Sequence, residues 1–234
     1  MTSTLETPKK MIIFGCTYIG IQIATELHPL HQITLCDNNE QQVNKAKKEQ
    51  LSAVLIDHTD DDKLKQLGIG HNIDIIFMAF EADSANVFVT LSARFLDQNL
   101  HIIALANHEN AKNSLIAAGC NRVIKPYEMI GREIYNLIDR PQAMNVFSSV
   151  IYGESQLTLI ELPLSKKSHY IGQLLQKIKI NQAFNILLIG VINHQDQQFI
   201  YSQSNSLYSL KAADILMLMG EKEDIQKFQL FLDN

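Results

Sequence analysis

The protein is a chain of 234 residues, of which 46% are hydrophobic and 19% charged, a composition typical of globular proteins and not of disordered ones. Its net charge of −5 comes without any dense block of lysine and arginine, so nucleic acid is not an expected partner. The longest apolar run, residues 186–192, is too short to cross a membrane as a helix, and residues 1–10 lack an apolar signal core, so we expect a cytoplasmic protein.

The first 138 residues alternate short apolar runs with segments of helical periodicity. The apolar runs are rich in Ile, Leu and Val and nearly continuous, as in strands that are covered on both faces. Strands are predicted at residues 11–14, 32–36, 52–56, 73–80, 101–105 and 122–124, and helices at residues 19–27, 39–49, 61–67, 84–97 and 109–118. This alternation predicts an α/β fold, a Rossmann-like doubly wound parallel sheet.

The pattern changes after residue 138. Pro141 is predicted to end a helix over residues 131–138. Further strands are predicted at residues 157–162, 185–192, 198–201 and 215–219, with helices at 171–177 and 223–232 and a hairpin turn at 193–196. We therefore predict a disordered N-terminus at residues 1–10, a Rossmann domain at 11–138, a linker and dimerisation segment at 139–155, and a small α+β domain at 156–234.

The segment Gly15 to Gly20 follows the first predicted strand and opens the first predicted helix. A dinucleotide fingerprint has glycine at its first, third and sixth positions, for the turn, for phosphate approach and for helix packing. Here the third position is Thr17, whose side chain narrows the phosphate approach but whose hydroxyl could donate to a phosphate oxygen. The two glycines could also serve the turn alone, without any ligand.

An acidic residue stands where the fingerprint requires one. Asp37 ends the second predicted strand, 22 residues after Gly15, where its carboxylate would accept hydrogen bonds from ribose hydroxyls. Its charge would repel a 2′-phosphate, which favours NAD over NADP. The alternative is that Asp37 is a solvated helix cap.

The acidic segment Asp57 to Asp62 follows the third predicted strand. Thr59 or Asp60 is predicted to cap the next helix, whereas Asp57 lies where an adenine ring would be recognised. His58 could be a titratable group or a solvated loop residue. The predicted nucleotide contacts are Gly15, Cys16, Thr17, Tyr18, Ile19, Gly20, Asp37, Asn38, Asp57, His58 and Ala79.

No pattern of catalytic or metal-binding residues accompanies this site. The eight histidines and three cysteines lack metal-ligand spacing, and no nucleophile motif is present. Cys16 at a helix N-terminus could gain thiolate character, but a small apolar loop residue is the simpler interpretation. A dehydrogenase would also need an acid/base group, and no candidate stands out in the sequence. These features favour ligand sensing over turnover.

In order and spacing these segments resemble the RCK (regulator of K⁺ conductance) family of the TrkA/KtrA kind, with its TrkA-N and TrkA-C domains. In the first domain the resemblance rests on Ile12–Gly20, Asp37, Asp57–Thr59 and Gly119–Pro126, the last being similar to the family's Gly-Ala-Asp-x-Val-Ile-x-Pro stretch. In the second domain Leu210–Leu216 resembles its Leu-Lys-x-Gly-Asp-x-Leu turn. The resemblance covers nearly the whole chain after residue 10.

This resemblance implies a cytoplasmic gating subunit of a potassium uptake system or channel. Such subunits form homodimers, assemble into rings and act at the inner face of the membrane on a separate K⁺-transporting integral membrane protein. They bind NAD(H), ATP or ADP in the first domain, and some bind cyclic di-AMP in the second. The alternatives are a small NAD-dependent oxidoreductase and a degenerate scaffold that binds nothing.

The chain departs from the family at four positions. Tyr18 stands where the family usually has Arg or Lys, and Leu105 where it often has Arg. Ile56 and Ala213 each replace a glycine. The loss of two cations weakens the case for a triphosphate and favours a dinucleotide or an AMP-like ligand.

Overall fold

Six parallel strands form the sheet of the first unit in a computed structural model, which describes residues 7–151, 156–166, 168–204 and 207–233. The chain consists of two compact units, residues 1–134 and 135–234. The strand order β3-β2-β1-β4-β5-β6 confirms the predicted doubly wound sheet. The strands are β1 Lys10–Phe14, β2 Gln32–Asp37, β3 Ala53–Leu55, β4 Ile75–Met78, β5 His101–Leu105 and β6 Arg122–Ile124. Of the N-terminus predicted to be disordered, residues 1–6 lie outside the described residues, and Lys10 belongs to β1.

Five helices follow the first five strands and begin at side-chain caps in three cases. Thr17, Asn39 and Asp60 each accept a hydrogen bond from a backbone N–H of the first helical turn, Asp60 being one of the two predicted caps. Gly119 lies just past the last of these helices with φ +96°, as a C-terminal glycine should. The helices are α1 Tyr18–Leu27, α2 Glu40–Lys48, α3 Asp61–Gln66, α4 Asp83–Leu96 and α5 Ala111–Ala117.

Alternate residues of the central strands pack into two hydrophobic clusters, one on each face of the sheet. Ile12 and Phe14 of β1 join Ile76 and Ile102 in one cluster, while Ile13 joins the other. Each fully buried side chain of this size contributes roughly 1.5–3 kcal/mol through the hydrophobic effect. This double coverage explains why the strands read as continuous apolar runs.

The segment after β6 is more helical than predicted. Helix α6 spans Pro126–Asp139 and helix α7 spans Pro141–Ile151, so most of the predicted linker is a helix. Pro141 does end α6, but it also starts α7, because proline fits the first position of a helix, where no N–H partner is required. Residues 152–155 of the predicted linker lie outside the described residues. No helix of the described segments has the length and apolarity needed to cross a bilayer.

An antiparallel sheet of order β7-β10-β8-β9 forms the second unit, which confirms the predicted α+β class. Strands β8 and β9 form the predicted hairpin, and Asn193 Oδ1 accepts from Gln195 N at 2.8 Å in its turn. The strands are β7 Leu157–Pro163, β8 Leu187–Ile192, β9 Phe199–Tyr201 and β10 Ile215–Glu221, with helices α8 Ile180–Phe184 and α9 Lys222–Asp233.

The predicted helix over residues 171–177 is wrong, and α8 was not predicted. Only Leu175–Lys177 form a short 3-10 turn. Gly172 has φ +81°, and its N–H donates to Leu210 O at 2.8 Å, while Leu174 forms a β-bridge with Ser209. The backbone there is therefore paired with another segment and is not available for helical hydrogen bonds.

Replacing Ala213 with glycine is expected to stabilise the second unit by about 1 kcal/mol, since a left-handed conformation is unfavourable for a residue with a Cβ atom. Ala213 has φ +67° and is the residue where the resembling family has glycine. Urea denaturation of Ala213→Gly beside the wild type measures this gain. Ala212→Gly serves as the matched control, and an equal or larger gain from it would contradict the argument.

Candidate functional site

Gly15 and Gly20 are both required by packing at the end of β1. Gly15 has φ +104°, and a Cβ atom there would lie 2.7 Å from the carbonyl carbon of Ala79 and 2.8 Å from Phe80 N. A Cβ atom on Gly20 would overlap the carbonyl oxygen of Gly15. The glycines thus bring the β1–α1 loop against the end of β4 whether or not a ligand is present.

Asp37 organises the same loop from the end of β2. Its Oδ2 accepts from Cys16 N at 2.7 Å and its Oδ1 accepts from Asn39 N at 2.8 Å. The side chain is buried, whereas the neighbouring Asn38 is exposed. Each carboxylate oxygen keeps a second lone pair, so ribose recognition by Asp37 stays a prediction.

The hydroxyl of Thr17 forms its hydrogen bonds within the protein. Its Oγ1 donates to Ala79 O at 2.9 Å and accepts from Gly20 N at 3.2 Å. The sequence suggested donation to a phosphate oxygen, but the single hydroxyl proton is directed at Ala79 O instead. The backbone N–H groups of Thr17, Tyr18 and Ile19 have no partner within the described residues. These groups and the helix dipole make the N-terminus of α1 suitable for an anion.

A cavity of about 330 Å³ opens beside this helix N-terminus. It lies at the carboxyl ends of β1, β4 and β5, where the strand order reverses and where ligands bind in open α/β sheets. Its volume is within the range of ligand pockets, at the small end. It is lined by Thr17, Tyr18, Ile19, Ala79, Phe80, Glu81, Leu105, Asn107, His108 and Tyr127.

Asp57 and His58 do not line this cavity. Asp57 is exposed and bonds back to Thr59, accepting from its N–H at 3.0 Å and its hydroxyl at 2.6 Å, and these bonds lower the pKa of Asp57. His58 is buried, with its ring centroid 4.6 Å from that of Phe80 and its Nδ1 without a hydrogen-bond partner. Of the predicted contacts, the structure brings Thr17, Tyr18, Ile19 and Ala79 together around the cavity.

Asn86 is a positioning residue that the sequence did not indicate as part of the site. It is fully buried at the start of α4, where its Oδ1 accepts from Phe80 N at 3.0 Å. Its Nδ2 donates to Phe80 O at 3.0 Å and to Leu105 O at 3.1 Å. A single side chain therefore holds the ends of β4 and β5 at the floor of the cavity.

A histidine–carboxylate pair, also missed from the sequence, lies at the rim. His108 Nδ1 is 2.8 Å from Asp83 Oδ2, and Asp83 also accepts from the backbone N–H groups of Asn107 and His108. The pair joins the start of α4 to the loop after β5, 25 residues apart in sequence. Its only sequence signal was an aspartate at a helix start, which by itself indicates no more than a cap.

Cys16 is a buried loop residue and not a reactive thiol. Burial, helped by the charge of Asp37, raises its pKa to about 12, and burial also raises the pKa of Cys36 to about 12. A thiol must ionise to react. We therefore expect iodoacetamide at pH 8 to alkylate none of Cys16, Cys36 and the buried Cys120 in the folded protein. In denaturant it should alkylate all three, and mass spectrometry counts the added groups in each case. Rapid labelling of Cys16 in the folded state would contradict this assignment.

The model of the TrkA-N domain matches residues 11–126, which contain the glycine loop, Asp37 and all six strands except Lys10 of β1. Similarity to full-length relatives also includes the second unit. Potassium channel protein 1 of Methanocaldococcus jannaschii is 26% identical over 225 residues, 95% of this chain. Residues 11–126 of this chain belong to the TrkA-N family.

Two further relatives differ in how much of their own length is matched. Ktr system potassium uptake protein A of Bacillus subtilis is 23% identical over 94% of this chain and 96% of its own length. This chain spans 66% of the length of the Methanocaldococcus channel protein. It is thus similar in extent to the Ktr protein, and it corresponds to part of the channel protein.

Solved structures share the fold. A GsuK channel bound to NAD has a TM-score of 0.52 and 22% identity, covering 99% of this chain and 40% of its own. The human SLO3 gating ring has a TM-score of 0.70 and 13% identity, covering 94% of this chain and 46% of its own. In both cases this chain spans less than half of the solved chain.

Proposed function

We propose that this chain is a cytoplasmic regulatory subunit of a potassium uptake system or channel, and that its TrkA-N domain senses an adenine nucleotide. One observation carries the proposal: three successive residues at the start of α1, whose N–H groups have no partner in the part of the chain that the structure describes, line a cavity at the switch point of the sheet. A Ktr potassium uptake protein similar in extent and a GsuK channel bound to NAD support it.

NAD(H) is the nucleotide that the site favours. Asp37 is placed at the end of β2, where its charge would repel the 2′-phosphate of NADP. Among the described residues that line the cavity there is no Lys or Arg to balance a triphosphate. ADP is a second candidate, supported by a GsuK structure bound to ADP.

Calorimetric titration with NAD⁺, NADH, ADP, ATP and cyclic di-AMP tests the proposal. In Ile19→Glu a carboxylate is placed at the cavity and at the start of α1, where it suits the helix dipole but repels phosphate. We expect this variant to fold and to bind NAD⁺ at least tenfold more weakly, by about 1.4 kcal/mol or more. Thr25→Glu, which adds the same charge further along α1, should bind as the wild type does. Absence of binding with all five compounds would overturn the nucleotide proposal and favour the degenerate scaffold.

We also propose that the chain forms a homodimer through α6. None of the residues of this helix is buried, although it carries Tyr127, Ile130, Ile134 and Ile138. Exposed apolar surface of this extent marks an interaction site. Analytical ultracentrifugation should show a dimer that Ile134→Glu shifts to monomer, whereas a monomeric wild type would contradict this.

We further propose that these dimers assemble into a larger ring on a K⁺-transporting membrane protein. Co-purification of this chain with such a membrane protein tests the interaction.

The pair of Asp83 and His108 is the observation that favours the alternative function, a small oxidoreductase. A histidine oriented by a carboxylate is an acid/base arrangement that a small NAD-dependent oxidoreductase could use. That function predicts steady oxidation of NADH with a carbonyl substrate. We propose ligand sensing without turnover, because the named relatives are potassium channel and uptake proteins.

A further inference from the structure

His108 is the one residue, among the described residues that line the cavity, able to carry a positive charge. The cavity lining also includes the carboxylate side chain of Glu81 and, from α6, the phenol of Tyr127. At the end of β5 the chain has Leu105 where the resembling family often has arginine, so no permanent cation supports a phosphate from that side. Histidine changes charge between about pH 5 and 8, so any cationic support from this wall depends on pH.

Asp83 fixes the position of His108. It accepts from the backbone N–H of His108 at 3.0 Å and lies 2.8 Å from its ring Nδ1, so one carboxylate holds both the loop and the ring. The side chain of Asp83 is 14% exposed and that of His108 is 82% exposed. With Nδ1 directed at the carboxylate, a second proton on the ring resides on Nε2, which has no partner within the described residues.

The charges around His108 leave a place for an anion. Glu81 shares the cavity wall, and Glu109, the next residue, is bound by Lys125 at 3.0 and 3.1 Å. Thr17, Tyr18 and Ile19, whose N–H groups have no partner among the described residues, line the same cavity at the start of α1, and the helix dipole makes that end positive. An anion in the cavity would interact favourably with the helix N-terminus and with the Nε2–H side of an imidazolium whose Nδ1 side is paired with Asp83.

We infer that His108 contacts the phosphate-bearing part of the bound nucleotide and strengthens nucleotide binding as pH falls. This inference rests on the proposed function and adds to it a residue and a pH dependence. The ring acts as a charge-assisted donor, and Asp83 keeps it in place in both protonation states. A hydrogen bond of this kind corresponds to about a tenfold change in affinity.

NAD⁺ is the probe for the test, because its pyrophosphate does not titrate between pH 5.5 and 8, unlike the terminal phosphate of ADP. By calorimetry the wild type should bind NAD⁺ about tenfold more tightly at pH 5.5 than at pH 8. His108→Gln should bind at both pH values as the wild type does at pH 8. His108→Lys should bind at both as the wild type does at pH 5.5, and because it retains affinity it also shows that the loop is intact.

Two controls separate this inference from general effects of pH. His71→Gln, an exposed histidine in the turn before β4, should keep the wild-type pH profile. Adenosine, which has no phosphate, should show the same affinity at both pH values if it binds. Wild-type pH dependence in His108→Gln, or none in the wild type, overturns the role of His108 while nucleotide binding stands. Absence of NAD⁺ binding in every protein overturns the proposed function and this inference with it.

Discussion

Replacing Gly15 with alanine is expected to destabilise the first unit by about 3 kcal/mol, as measured by urea denaturation. The left-handed backbone conformation, φ +104°, is unfavourable by about 1–2 kcal/mol for a residue with a Cβ atom. Overpacking adds about 1–3 kcal/mol, because the new atom meets the backbone of Ala79 and Phe80. That backbone cannot easily retreat: Ala79 N donates to Phe14 O at 2.7 Å, and Ala79 O accepts the Thr17 hydroxyl at 2.9 Å.

Two other glycines separate the two contributions. Gly172 has φ +81° with no atom within 4 Å of its added Cβ, so Gly172→Ala should lose only the conformational part, about 1–2 kcal/mol. Gly131 lies in α6 with open space around it, so Gly131→Ala should stabilise the protein by about 1 kcal/mol. A loss for Gly15→Ala no larger than that for Gly172→Ala would show that the β1–α1 loop does not pack tightly against β4.

The order of strands and helices in the first unit could be predicted because its signals are local. Strands β1, β4 and β5 are buried on both faces, which leaves continuous apolar runs in the sequence. Gly15 marks the turn after β1, and Asp60 and Gly119 mark a helix start and a helix end. Each of these residues acts on its immediate neighbours, so its identity alone carries the information.

The helix predicted over residues 171–177 shows where local patterns fail. Ile171, Leu174, Leu175 and Ile178 have helical spacing, but hydrogen bonds to residues 208–210 determine the backbone there. The structure resolves the conflict through a left-handed Gly172 and pairing to residues 208–210. Hydrogen bonds to a distant segment have overridden a helical spacing of apolar residues that can arise by chance in a short segment.

The site depended even more on distant partners. The hydroxyl of Thr17 is committed to Ala79, 62 residues away, and His108 is positioned by Asp83, 25 residues away. A threonine in a glycine loop gives no sign of its acceptor, and a loop histidine gives none of its carboxylate. The sequence could therefore locate the edge of the sheet where a ligand would bind, but it could not decide which side chains are free to contact that ligand.

Replacing Asp214 with alanine is expected to destabilise the second unit by about 3–5 kcal/mol, because it removes a buried carboxylate that accepts three hydrogen bonds. Asp214 is fully buried, and its Oδ1 accepts from His194 N at 3.1 Å. Its Oδ2 accepts from the hydroxyl of Tyr208 at 2.7 Å and from Lys211 N at 2.8 Å. The carboxylate thereby joins the β8–β9 turn to the turn before β10, so its loss should expose both to hydrogen exchange.

Two variants and the alkaline pH range make the Asp214 prediction specific. Tyr208→Phe removes one of the three donors and should destabilise the second unit by about 1 kcal/mol. Asp196→Ala, at an exposed aspartate of the same hairpin, should destabilise it by less.

Burial and the bond to Asp214 raise the pKa of Tyr208 well above its ordinary value near 10. A phenol whose pKa is higher in the folded than in the unfolded protein contributes its full stabilisation at pH values below the unfolded pKa. The folded protein loses this contribution as the pH rises above about 10, where the phenol of the unfolded chain ionises. Wild-type stability should therefore fall more steeply above this pH than that of Tyr208→Phe, and equal slopes would show that the bond to Asp214 does not hold the phenol protonated.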